Sequence, residues 1–199
     1  MKKLVLCTIM MLLVLGTASC SREEIFINAD EISVDTLLAK ANGVLQVATV
    51  EDFDKSYYEL GELGEFVAKE IDSYNKIAGG EEITIDDVQI RSGKAIMLLS
   101  FTGMDQYTAF NDVTAAYFNG GIKDNPLAMP TTLINTKNDS LASTAEVIQN
   151  EKYKVIVINE PYNIIVDGKV KYYSENAVLI DENTIQSVDE GMTIIVFKP

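Results

Sequence analysis

Two short runs of this chain are apolar on both faces: AIMLLSF at residues 95–101 and YKVIVIN at residues 153–159. Side chains alternate across a strand, so such a run is stable only in a sheet covered above and below. A single sheet with one wet face is thereby excluded, and helices or further strands must supply the covering layers.

Part of that cover is legible nearby. Leu60, Leu63, Val67, Ile71, Tyr74 and Ala78 recur at steps of three and four. This spacing draws one apolar stripe along a helix and turns Glu62, Glu65, Lys69 and Asp72 to water. Ser56 and Glu59 match the S-x-x-E capping box at its start, and Gly79-Gly80 ends it. Gly61 and Gly64 each cost up to about 1 kcal/mol relative to alanine, a cost that close packing against a strand would explain. Residues 83–90 and 94–101 then read as two strands joined across Ser92-Gly93.

The remaining elements follow from local signals. Residues 33–43 predict a short helix, with Val34, Leu37, Leu38 and Ala41 on one face and Asn42-Gly43 as its C-terminal cap. Residues 44–50 (VLQVATV) predict a strand. Thr102-x-x-Asp105 opens a second helix with Met104, Tyr107, Phe110 and Tyr117 turned inward, closed by Asn119-Gly120-Gly121. Residues 122–137, with Pro126 and Pro130, read as a long surface loop, either a binding loop around 125–132 or a disordered connector. Asp139 is placed to cap a short helix running to Gln149. Residues 163–166 and 169–173 flank Asp167-Gly168, a type I′ hairpin signal, and residues 177–180, 184–188 and 192–197 complete a β-rich end. The fold class is therefore α+β: a mixed sheet with packed helices, followed by a hairpin-rich C-terminal part. The order over residues 44–159 is compatible with a ferredoxin-like βαββαβ unit. The organisation expected is a leader at 1–19, a tether at 20–31, an α/β part at 32–150, and a β-rich part at 151–199 forming one globular unit with it.

The chain opens MKKLVLCTIMMLLVLGTASC. Lys2 and Lys3, an apolar stretch of about a dozen residues, and small residues before Cys20 have the order of a secretory signal peptide. A permanent span needs about 20 apolar residues, more than this stretch offers. Thr17-Ala18-Ser19-Cys20 resembles the lipobox of bacterial lipoproteins, with Thr17 standing where that family's pattern has Leu. The resemblance implies cleavage between Ser19 and Cys20 and a diacylglyceryl thioether on Cys20. Two acyl chains suffice for stable anchoring. The alternative is ordinary cleavage that leaves Cys20 a thiol.

Composition narrows what the body does. Losing Lys2 and Lys3 with the leader takes the formal charge from −14 to −16. A body so acidic is repelled by nucleic-acid phosphates and anionic lipid headgroups, so nucleic acid is excluded as a partner and lipid rather than charge must hold the chain at a membrane. With Cys7 in the leader and Cys20 at its end, the mature body holds no further cysteine, and the chain has no histidine or tryptophan. Disulfides, thiol chemistry, imidazole ligands and Ser-His-Asp catalysis are excluded there. Asp52/Asp54, Glu81-Glu82, Asp86-Asp87 and Asp181-Glu182-Asn183 match no calcium-binding loop and read as acidic surface. No phosphate-cradling glycine motif is present, so no cofactor, metal or catalytic residue is assigned. Tyr58, Tyr117, Phe118, Tyr172 and Tyr173 form the candidate binding surface, because one member of each consecutive aromatic pair must point away from a core.

The stretches FDKSYYELGELGEFVAKEIDSYN, YTAFNDVT and NEPYNIIVDGKVKYYS resemble uncharacterised lipoproteins of Gram-positive bacteria. The resemblance implies an envelope lipoprotein on the outer face of the cell membrane, and nothing about catalysis. Three functions are compatible with these observations: a non-enzymatic binding module for an envelope protein or cell-wall ligand, a small ligand-delivering lipoprotein of a transport system, and a cation-dependent hydrolase.

Overall fold

The computed structural model describes residues 24–55, 57–122, 127–188 and 191–199. The strands are β1 (Thr36–Ala39), β2 (Leu45–Asp52), β3 (Ile83–Arg91), β4 (Lys94–Phe101), β5 (Ala115–Phe118), β6 (Thr132–Asn135), β7 (Leu141–Ser143), β8 (Lys154–Ile158), β9 (Asn163–Val166), β10 (Lys169–Tyr173), β11 (Val178–Leu179), β12 (Thr184–Gln186) and β13 (Thr193–Lys198). The helices are α1 (Leu60–Ala78), α2 (Met104–Asn111) and α3 (Thr144–Val147). Two sheets form, one in the order β11-β12-β9-β1-β2-β4-β3 and one in the order β5-β8-β13-β10-β6-β7. The protein is α+β with a β-rich C-terminal part.

The main core lies where the two sheets and two helices meet. Leu37, Val47, Leu99 and Ile164 of the first sheet meet Ile156, Ile158, Ile195 and Phe197 of the second, with Val67 and Ile71 of α1 and Tyr107 of α2. The outer face of the second sheet, with Val155, Val157, Ile194 and Val196, is covered by Ile122, Leu127, Met129 and Val147. The outer face of the first sheet, with Leu38, Ala48, Ile96 and Leu98, is covered by Ile25, Ile27, Ala29 and Ile32. Both two-faced apolar runs are accommodated in this way: β4 and β8 each divide their side chains between two clusters, and each lies one place in from a sheet edge.

Part of the ferredoxin-like expectation is realised. β2 and β3 are joined through α1, and β4 lies between them, antiparallel to both, which is a split βαβ unit. The second half is not formed. The place beside β2 is taken by β1, and β8 goes to the other sheet. The β3–β4 turn is as predicted, with φ of 53° at Ser92 and 76° at Gly93, both in the left-handed region that a type I′ turn requires.

Several local expectations are corrected. Residues 33–43 do not form a helix: β1 lies between β2 and a parallel partner, β9, and all four of its residues are buried. Helix α1 starts at Leu60 with Glu59 as N-cap, and Glu59 makes no side-chain capping bond; Ser56 lies outside the described residues. A Cβ at Gly61 or Gly64 would meet nothing within 4 Å, so close packing does not account for either glycine. Helix α2 is capped by Gly103 rather than Thr102 and ends at Asn111, with Asp112 in the left-handed conformation. Tyr117 accordingly lies on β5, and Gly120-Gly121 follows a strand. The loop predicted over 122–137 contains β6, and Asp139 precedes β7 rather than capping a helix to Gln149. Most instructive is Asp167-Gly168. β9 and β10 belong to different sheets, so this dipeptide is a crossing and not a hairpin turn. Gly168 is needed for space: a Cβ there would lie 2.4 Å from the Lys198 carbonyl oxygen.

Packing also begins earlier than the 20–31 tether implies. Ile27 and Ala29 are buried, and the Ile27 N–H donates to Gln46 Oε1 at 2.9 Å. Arg91 donates to the Ile32 carbonyl, fixing the end of the same segment. The leader, Ser19 and Cys20 lie outside the described residues.

Candidate functional site

The five candidate aromatics do not share one surface. Tyr58 is exposed before α1, with its ring stacked on Phe53 at 4.8 Å. The Phe53 N–H donates to the Gly93 carbonyl, which places this cluster by the β3–β4 turn. The consecutive pairs behave differently from a sheet with one wet face. Tyr117 and Tyr173 pack against the main core, while Phe118 and Tyr172 pack against the cluster on the opposite face. Both members of each pair are used because the second sheet is covered on both sides. The Tyr117 hydroxyl donates to the carbonyls of Lys40 and Ala41, each at 3.2 Å. Burial, and then the charge of Asp167, pushes its pKa up to about 12.

Tyr172 leads to a feature that the sequence reading did not isolate. Its ring lies edge-on to Tyr153, 5.9 Å between centroids. Burial first, and then Tyr172, pushes the Tyr153 hydroxyl up. The two rings line an open crevice of about 580 Å³ with Lys137, Lys169, Lys171 and Glu182. A β-bulge between Val170 and Tyr172 re-aims the strand at Lys171. The turn after β6 is stapled there, with the Thr136 N–H donating to the Lys171 carbonyl at 3.0 Å. Lys169 and Lys171 also line an adjoining crevice of about 390 Å³, with Lys198, Asp167 and Ile25. Lys169 pairs with Glu182 at 2.7 Å and stands directly across from Lys198 in the β10–β13 register. Like charges placed opposite each other oppose sheet formation, and the Glu182 carboxylate offsets that repulsion at Lys169. Among the described residues, Lys137, Lys171 and Lys198 have no ion-pair partner. A cluster of unpaired ammonium groups in a chain of charge −14 is electrostatically set apart from the rest of its surface. Lys169 and Lys171 stand two apart on one strand, but the bulge at Lys171 interrupts strict alternation, so the sequence alone did not show that the two share a crevice.

The acidic pairs are absorbed by the fold. Asp86, the extra residue of a bulge in β3, accepts from Gln46 Nε2 at 2.7 Å and Ser100 Oγ at 2.6 Å. Asp52 accepts from Lys94 at 2.7 Å, and that hydrogen bond holds its carboxyl below the usual range. Glu82 accepts from Thr102 Oγ1, and Asp181 accepts from the Asn183 N–H at 2.9 Å. Among the described residues no three His, Cys, Asp or Glu side chains are grouped to hold a metal ion. Buried Ser187 is likewise engaged: its hydroxyl accepts from the Tyr162 N–H and donates to the Glu160 carbonyl. Residues 128–132 of the proline-containing segment line a third hollow with Met192 and Glu175. No helix among the described residues is long and apolar enough to cross a membrane. Compared with family models, curated proteins and solved structures, the chain matches none.

Proposed function

We propose that this chain is a lipid-anchored, extracytoplasmic protein of a bacterial envelope that acts as a non-enzymatic binding module, and that its binding end is the lysine-tyrosine crevice for an anionic ligand. The anchor rests on the apolar leader and Cys20. The binding end rests on one observation: Lys137 and Lys171, which have no ion-pair partner among the described residues, flank the Tyr153–Tyr172 pair in an open crevice. Ammonium groups attract anions, and tyrosines offer flat apolar area with a polar tip, a combination suited to holding an anionic ligand.

A cell-fractionation experiment tests the anchor. The full chain expressed in a bacterium should sediment with membranes and partition into a detergent phase. The Cys20→Ala variant should keep its leader uncut, migrate more slowly and lose incorporation of labelled fatty acid. Fatty-acid labelling and mobility equal to the parent chain in that variant would remove the anchor.

A further inference from the structure

We propose, building on the anchored reading above, that the partner of this lysine end is the anionic surface of the membrane itself, on which the body lies with β10, the end of β13 and Phe26 turned toward the headgroups. Three observations converge on it. The first is reach. Four residues of chain, and so five Cα–Cα steps, separate Cys20 from Ile25, which at full extension span at most about 18 Å. Ile25 is itself part of the wall of the second crevice, beside Lys169, Lys171 and Lys198. A lipid on Cys20 therefore holds these lysines near the headgroups, because Ile25, within that reach, lies among them.

The second observation is charge distribution. The body's net charge argues against adhesion as a whole, but charges act over about 8–10 Å at physiological salt. Between Glu51 and Asp87 the chain carries twelve carboxylates and three lysines. They sit on and around α1 and β3, at the opposite edge of the first sheet from the β11–β12 hairpin that Lys169 reaches through Glu182. Strands lie about 4.8 Å apart, so those edges are separated by about 29 Å, beyond several screening lengths. Locally, Lys137, Lys169, Lys171 and Lys198 face Glu182 and Asp167, a positive balance.

The third is Phe26. It is 60% exposed one residue beyond Ile25, and the Lys40 ammonium lies 4.0 Å from its ring centroid and 2.8 Å from Glu24. An exposed aromatic ring beside an ammonium is the pairing that seats in the headgroup boundary.

The test uses the absence of cysteine from the body beyond Cys20. Nitroxide labels are placed through Asn183→Cys, in the second crevice, and Ile77→Cys, 88% exposed on α1. The labelled full chain, isolated from membranes, is reconstituted into vesicles of phosphatidylcholine alone or with phosphatidylglycerol. Access of a water-soluble relaxation agent to position 183 should fall at least about fivefold on the anionic vesicles only, the factor contributed by a single surface lysine. Position 77 should not respond, and high salt or the combined Lys169→Gln, Lys171→Gln and Lys198→Gln changes should restore access while the protein stays vesicle-bound. Equal access at 183 in both vesicle types would overturn the proposal with the anchor intact. The same fall produced by soluble polyglutamate on phosphatidylcholine vesicles would overturn it in favour of a soluble polyanion. Failure to associate with either vesicle would instead refute the anchor.

Discussion

Gly168 and Gly61 occupy one chain under opposite constraints. At Gly168 a Cβ would lie 2.4 Å from the Lys198 carbonyl oxygen, and backbone cannot yield as a side-chain tip can. Gly168→Ala should therefore lower stability by about 2 kcal/mol or more, read as a lower urea midpoint at unchanged slope. At Gly61 and Gly64, inside α1, an added methyl meets nothing within 4 Å. Each change to alanine should raise stability by up to about 1 kcal/mol in the same assay. The sequence flagged both positions, but only the close approach of Gly168 to Lys198, on a strand of the other sheet, separates Asp167-Gly168 as a crossing from Asn-Gly-like turns. Tyr117 adds a pH prediction. Its folded pKa of about 12 exceeds the ordinary 10.0, so its contribution to stability is complete below pH 10 and fades as pH rises from there toward 12. Urea unfolding across that window should show a shallower alkaline loss in Tyr117→Phe than in the parent chain.

At the scale of elements, the segment over residues 24–32 decides whether the first sheet keeps a dry outer face. Gln46 sits at its hinge point: one end of the amide accepts from the Ile27 N–H, and the other donates to Asp86. Gln46→Ala leaves a buried donor without its acceptor, a loss of about 1–3 kcal/mol. Hydrogen exchange should quicken at Ile27 and Ala29 more than in β8. Legibility divides along the same line. α1, β2, β3, β4, β8 and their turn could be read because periodicity and turn chemistry are local. β1 could not: Leu37 and Leu38 mimic a helical face, and what makes them a strand is β9, about 125 residues later in the chain. The consecutive tyrosines pointed to an exposed surface because one member of each pair was expected to face away from a single core, whereas the second sheet carries a core cluster on each face.

Over the whole molecule, the division of charge matters more than its sum. Carboxylates gather around α1 and β3, while lysines gather beside Ile25. Lys169, Lys171 and Lys198 are ordinary residues in sequence, brought together by the pairing of β10 with β13. That assembly was hidden from the sequence because net charge averages over a surface that folding sorts. The anchoring depends on Cys20 carrying lipid, and the mass of the mature N-terminal peptide reads this directly. Trypsin should release Cys20-Ser21-Arg22 bearing a thioether-linked diacylglyceryl group, from protein purified out of the membrane fraction. Recovery of that peptide with a free thiol, or of an N-terminus at another residue, would contradict the account.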